Sequence, residues 1–152
     1  MKKSLRDTSE NLHVSVNGNT FLLLKEKAAF WVEQKALLMA DLHLGKINHF
    51  RKGGIAVPTA ANQQNLERLQ MLLHFTNPAR VILVGDLFHS HYNDAWEEFG
   101  NLVQHYPAIA FELVIGNHDI LSQHQYARKG IVIHQELRVE NILFTHHPIE
   151  PA

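Results

Sequence analysis

Ala110-Phe111-Glu112-Leu113-Val114-Ile115 is an almost unbroken apolar run that stops at Gly116-Asn117-His118-Asp119. A short apolar run closed by glycine reads as a buried strand delivering its polar tip to a sheet edge. Two earlier stretches end in the same way: Leu37-Leu38-Met39-Ala40 into Asp41-Leu42-His43, and Val81-Ile82-Leu83-Val84 into Gly85-Asp86. Three strands would thus present Asp, His, Asp, Asn and His at their carboxyl ends. In open α/β sheets that edge is where ligands bind, so the pattern points to a metal site assembled from several strands.

Between these strands the periodicity changes. Pro58-Thr59 can open a helix with Thr59 as its N-cap, and Leu66, Leu69 and Leu73 then share one face until Asn77-Pro78 stops it. Asn93 or Asp94 can cap a second helix, whose Trp96, Phe99, Val103 and Tyr106 keep helical spacing up to Pro107. Strand, helix, strand, helix, strand predicts parallel strands joined by right-handed crossovers. Upstream, His13-Val14-Ser15-Val16 and Thr20-Phe21-Leu22-Leu23-Leu24 flank Asn17-Gly18, a pair suited to the positive φ angles of a tight hairpin. Ala28-Ala29-Phe30-Trp31 is apolar but too short to assign. Residues 122–129 fit a short helix ended by Gly130, and Ile131-Val132-Ile133 a further strand. Leu137-Arg138-Val139 and Ile142-Leu143-Phe144 fit a hairpin around Glu140-Asn141, which leads into Thr145-His146-His147-Pro148.

Composition narrows the chemistry. With 45% hydrophobic and 19% charged residues in 152, one globular domain with a real core is expected. No apolar stretch is long enough to span a bilayer, and the basic start lacks the apolar segment of a signal peptide, so a cytoplasmic location and no membrane partner are expected. Cysteine is absent, which rules out disulfides and thiolate ligands and fits a reducing compartment. A formal net charge of −1 offers a polyanion no global attraction, so any nucleic-acid contact must rest on a local patch. Residues 44–57 supply such a patch: a glycine-containing loop beyond Asp41 and His43 carrying Lys46, His49, Arg51 and Lys52. The 12 histidines are numerous for this length, and several lie beside acidic or amide groups at strand ends.

On an extended backbone Asp41 and His43 point to the same side and can grip one ion. Each piece alone is weak: Asp-x-His and Gly-Asp are common in turns. Together with Gly116-Asn117-His118-Asp119 and the strand-end His146, the set resembles the calcineurin-like metallophosphoesterases, over a stretch from Lys35 to Pro148. The resemblance implies an αββα sandwich built on parallel βαβ units. It also implies a dinuclear site in which Asp41 and His43 bind one divalent ion, Asp86 bridges both, and Asn117 and His146 bind the second. A bridging hydroxide would be the nucleophile, His118 the general acid on the leaving oxygen, and Asp119 the group that orients its ring. His89, His91 and His147 are read as neighbours of the site rather than ligands, with His147 the substitute should His146 point away. His13, His74, His105, His124 and His134 are read as structural or exposed.

A narrower likeness comes from Ala40-Asp41-Leu42-His43-Leu44-Gly45-Lys46, His49-Phe50-Arg51-Lys52-Gly53-Gly54-Ile55, Val57-Pro58 and Gly85-Asp86-Leu87-Phe88-His89-Ser90. These resemble the bacterial ligase-associated DNA damage response endonucleases. That relationship implies a phosphodiesterase acting on DNA with two Mn2+ ions (Fe or Zn as alternatives), phosphate contacts from Lys46, Arg51 and Lys52, and a DNA ligase and helicase as functional partners in repair. The alternative reading of those three cations is a solvated loop.

One departure stands out. The family's closing Gly-His-x-His element, one more ligand for each metal, has no counterpart before Ala152. A domain incomplete at its C-terminus and lacking the C-terminal strands is therefore expected, with three ligands left per ion and weakened geometry. Two other functions remain beside the phosphodiesterase: an impaired module that binds metal and phosphate without turnover, and a phosphatase of small monoesters.

Overall fold

The computed structural model describes residues 11–42, 44, 60–87, 94–116 and 123–148. Their framework is a seven-stranded sheet whose strands lie side by side in chain order. β1 (Leu12–Val16), β2 (Asn19–Leu24), β3 (Ala28–Trp31) and β4 (Ala36–Ala40) form an antiparallel meander. From β4 the sheet continues in parallel through β5 (Arg80–Val84), β6 (Ala110–Val114) and β7 (Ile131–His134). The crossovers contain α1 (Ala60–Thr76), α2 (Asp94–Gln104) and α3 (Gln123–Arg128). The expected βαβ order is therefore observed.

Local chemistry explains the boundaries. Asn17 and Gly18 take φ of 51° and 79°, which turns β1 into β2 with Val16 opposite Asn19. Helix α1 closes on Asn77, whose φ of 45° and N–H bond of 2.9 Å to the Leu73 carbonyl make a left-handed C-terminal cap, with Pro78 next. Gly130, with φ of 79°, follows α3 and passes the chain into β7. The unassigned Ala28-Ala29-Phe30-Trp31 proves to be β3, paired on both sides. Its turns reach positive φ at Lys27 (60°) and Lys35 (49°), residues that carry no turn signature. Lys35 is accordingly a turn residue, and β4 begins one position later.

Strand alternation sends side chains to two separate cores. On one face Leu37, Met39, Val81, Leu83, Phe111 and Leu113 pack with Leu69, Leu72 and Leu73 of α1 and Trp96, Phe99 and Val103 of α2. Each buried leucine there contributes roughly 1.5–3 kcal/mol of transfer free energy. The Trp96 ring stands edge-on to Tyr126 of α3 at 5.3 Å, which joins the two helices. On the opposite face Trp31, Ala36, Ile82 and Val114 meet Leu137 and Val139 of a second, two-stranded sheet, β8 (Leu137–Val139) and β9 (Ile142–Phe144). Asn19 Nδ2 donates to Asn141 Oδ1 at 2.7 Å and Asn141 Nδ2 to the Asn17 carbonyl at 2.9 Å, so the first hairpin turn clasps the second sheet.

The described residues thus form three layers, helices on sheet on sheet. The outer helical layer of an αββα sandwich and the C-terminal strands are not among them.

Candidate metal centre

The register of the parallel strands sets the site. Ala40 pairs with Val84, and Val84 with Val114, so β4, β5 and β6 end level with one another. The next residues are Asp41, Gly85-Asp86 and Ile115-Gly116, all at one edge. Backbone bonds fasten these tips: Asp41 N–H donates to the Gly85 carbonyl at 3.2 Å, Gly85 N–H to the Val114 carbonyl at 2.7 Å, and Ile115 N–H to the His134 carbonyl at 3.0 Å. Asp41 and Asp86 both adopt left-handed backbone, with φ of 53° and 50°. Left-handed aspartates are tolerated better than most residues, yet two side by side at adjacent strand ends mark a site held in shape by its surroundings.

The fourth contributor comes from the other sheet. Beyond β9 the chain turns at Thr145, whose Oγ1 donates to the His147 carbonyl at 2.7 Å, and His146 reaches across the strand tips. Its Nε2 is 3.6 Å from Asp86 Oδ2. One donor atom from each of Asp41, Asp86 and His146 lies within 4.8 Å of the others. Two carboxylates and an imidazole are hard and borderline donors suited to Mn2+, Fe2+ or Zn2+, and Asp86 among them is only 7% exposed. The donor set therefore fits a divalent cation.

Glycines make the close approach feasible. A Cβ on Gly116 would stand 2.4 Å from Asp86 Oδ1 and 2.5 Å from the Asp86 backbone nitrogen. On Gly85 it would stand 1.7 Å from His146 Nδ1, inside the imidazole. The sequence marks both glycines as turn chemistry, but their lack of a side chain also serves packing.

Of the residues expected at the site, Asp41, Asp86 and His146 are brought together. His43, Asn117, His118 and Asp119 lie outside the described residues, as do Lys46, Arg51 and Lys52. His147 is not needed as the substitute: it is exposed and sits edge-on to His146, with ring centroids 5.1 Å apart. His134 has a structural partner instead, its Nε2 3.1 Å from Glu112 Oε1.

Glu112 also receives Arg80, with Nη2 donating to Oε1 at 2.8 Å and Nε donating to Oε2. Burial is the largest single influence on this carboxyl and pushes it up. The hydrogen bonds and charge of Arg80, joined by His134, together outweigh burial and hold it below the ordinary carboxylate value. The triad ties β5, β6 and β7 together on the face opposite the helices, with Arg80 at the start of β5, Glu112 in the middle of β6 and His134 at the end of β7.

Among the described residues no helix is long and apolar enough to cross a membrane. No curated protein matches the chain. Among solved structures it is similar to the Pseudomonas putida nuclease MPE, with a TM-score of 0.73 and 24% identity over 86% of this chain and 63% of that one. The chain thus spans less than two thirds of that nuclease, and the likeness is one of fold. The family model described as calcineurin-like phosphoesterase matches residues 35–150, from the turn before β4 to beyond His146. The chain belongs to the calcineurin-like phosphoesterase family.

Proposed function

We propose that this protein is a metal-dependent phosphodiesterase that cleaves DNA. The observation that carries the reading is the convergence of Asp41, Asp86 and His146 from three elements and two sheets onto one point. In such a site divalent cations, two Mn2+ ions in our reading, supply neutralisation of phosphoryl-oxygen charge and acidification of the attacking water.

The chain's own residues would do the rest. Asp41 and His43 would hold one cation, Asp86 would lie between the two, and Asn117 and His146 would hold the second. His118 would protonate the leaving oxygen, with Asp119 orienting its ring. Lys46, Arg51 and Lys52 would bind flanking phosphates, which supports a polymeric substrate over a small monoester. The Pseudomonas putida protein of similar fold is a nuclease, which supports the same reading. Functional coupling to a DNA ligase and helicase in a reducing compartment belongs to this proposal.

The test is Mn2+-dependent hydrolysis of bis(p-nitrophenyl) phosphate and of a DNA duplex by the wild type, Asp86→Ala and His118→Ala. Loss of Asp86 should abolish turnover together with retention of Mn2+ on dialysis. Loss of His118 should lower the rate about 10²-fold or more while the metal is retained. Equal rates in all three would refute the assignment.

A further inference from the structure

His146 is the one described member of the cluster that comes from outside the main sheet, so something must fix its ring when the two sheets meet. Its polar neighbours in the cluster, Asp41 and Asp86, lie where a cation would lie, and His147 stands edge-on to the ring at 5.1 Å between centroids. Gly85 supports the ring from the main sheet. A Cβ there would fall 1.7 Å from Nδ1, 2.4 Å from Cγ and 2.5 Å from Cε1, so the Nδ1 edge of the imidazole fills the volume that any other residue would occupy. With that edge seated on backbone, the opposite nitrogen, Nε2, is the one turned toward Asp86, at 3.6 Å.

We propose that Gly85 is a positioning residue for His146: its bare α-carbon seats the Nδ1 edge of the ring and so selects Nε2 as the nitrogen offered to a cation. The inference rests on the metal-site reading above and adds to it a specific role for a residue that touches no ligand. Gly85 is well placed for the task. It lies between β5 and Asp86, its N–H is fixed to the Val114 carbonyl at 2.7 Å, and its carbonyl receives the Asp41 N–H, so its α-carbon cannot retreat from an added methyl without moving both aspartates. The histidine must yield instead. Because its φ of 69° favours glycine, an alanine would also carry backbone strain. Asparagine tolerates that backbone while still adding a Cβ, which separates ring displacement from strain.

The experiment uses Zn2+ alone as a diamagnetic probe, read by competition with a fluorescent chelator and by long-range 1H–15N spectra of histidine-labelled protein. His146→Ala assigns the His146 signals, and thermal denaturation checks that each variant is folded. In the wild type, Zn2+ should shift Nε2 of His146 and leave Nδ1 as the protonated nitrogen. Gly85→Ala and Gly85→Asn should each weaken Zn2+ binding about tenfold or more, the scale seen when a group that orients a ligand is lost. In a His146→Ala background the same changes should alter binding less than about twofold, because the ring they displace is gone.

Ligation through Nδ1, or equal losses in both backgrounds, would overturn the proposal. Loss of fold in both Gly85 variants would overturn it too, locating the role of Gly85 in the backbone. Failure of the underlying reading looks different: Asp86→Ala would then bind Zn2+ as tightly as the wild type.

Discussion

Glu112→Gln tests the triad of Arg80, Glu112 and His134. The substitution keeps shape and volume but removes the charge that two Arg80 donors and His134 share. The new amide can still accept from one Arg80 nitrogen, but its NH2 group then faces the other donor, so one charge-assisted bond is lost and one weakened. Such bonds contribute about 1.5–3 kcal/mol each when buried. Arg80 and His134 side chains are each 26% exposed and can recover some hydration, which argues for a discount. We expect a loss of about 1–2 kcal/mol at neutral pH, measured by urea unfolding.

The pH dependence has a definite sign. The Glu112 carboxyl titrates below its ordinary value of 4.5 in the folded chain, so the unfolded state takes up its proton first as pH falls. Its stabilisation is therefore fully present above about pH 4.5 and disappears as pH drops through the lowered folded value. The gap between wild type and Glu112→Gln should accordingly be widest at pH 7 and shrink toward pH 3. A gap that is the same at both pH values, or below about 0.5 kcal/mol at pH 7, would refute the claim that the ionised carboxylate holds these strands together.

Trp96→Ala removes the ring that stacks on Phe99 at 5.9 Å and meets Tyr126 edge-on, in a position only 1% exposed. It should cost about 3–5 kcal/mol and lower Tm by on the order of 10 °C in a scanning calorimeter. At Asn77, the left-handed cap of α1, a β-branched side chain is the wrong choice: Asn77→Val should destabilise by about 1–2 kcal/mol. Asn77→Gly should stay within about 0.5 kcal/mol of wild type, both read from urea midpoints.

The sequence makes β4, β5 and β6 legible because each is a largely apolar run that leads into glycine or aspartate within two residues. β3 is hidden because lysines occupy the positive-φ positions of its turns. Its four residues have meaning only between β2 and β4. Arg80, Glu112 and His134 could not be paired in advance, since they are far apart in sequence and meet only through the register of three strands. Asp41, Asp86 and His146 could be picked out singly as strand-end groups. That they share one point depends on the level ends of β4, β5 and β6 and on the second sheet lying across them. The place of Gly85 in the site was the least visible feature, because an empty volume leaves no signature beyond the glycine itself.

The cluster unites Asp41, which directly follows β4, with His146, just beyond β9. Whatever binds all three donors closes a loop that encloses nearly the whole parallel half of the fold. A long loop held shut removes more freedom from the unfolded chain than a short one, so such a ligand would act as a reversible cross-link. The same distance along the chain delays its formation during folding, since β4, β5, β6 and the second sheet must all be in register first. Ligand affinity in this protein is thus a reading of how completely the two sheets have come together.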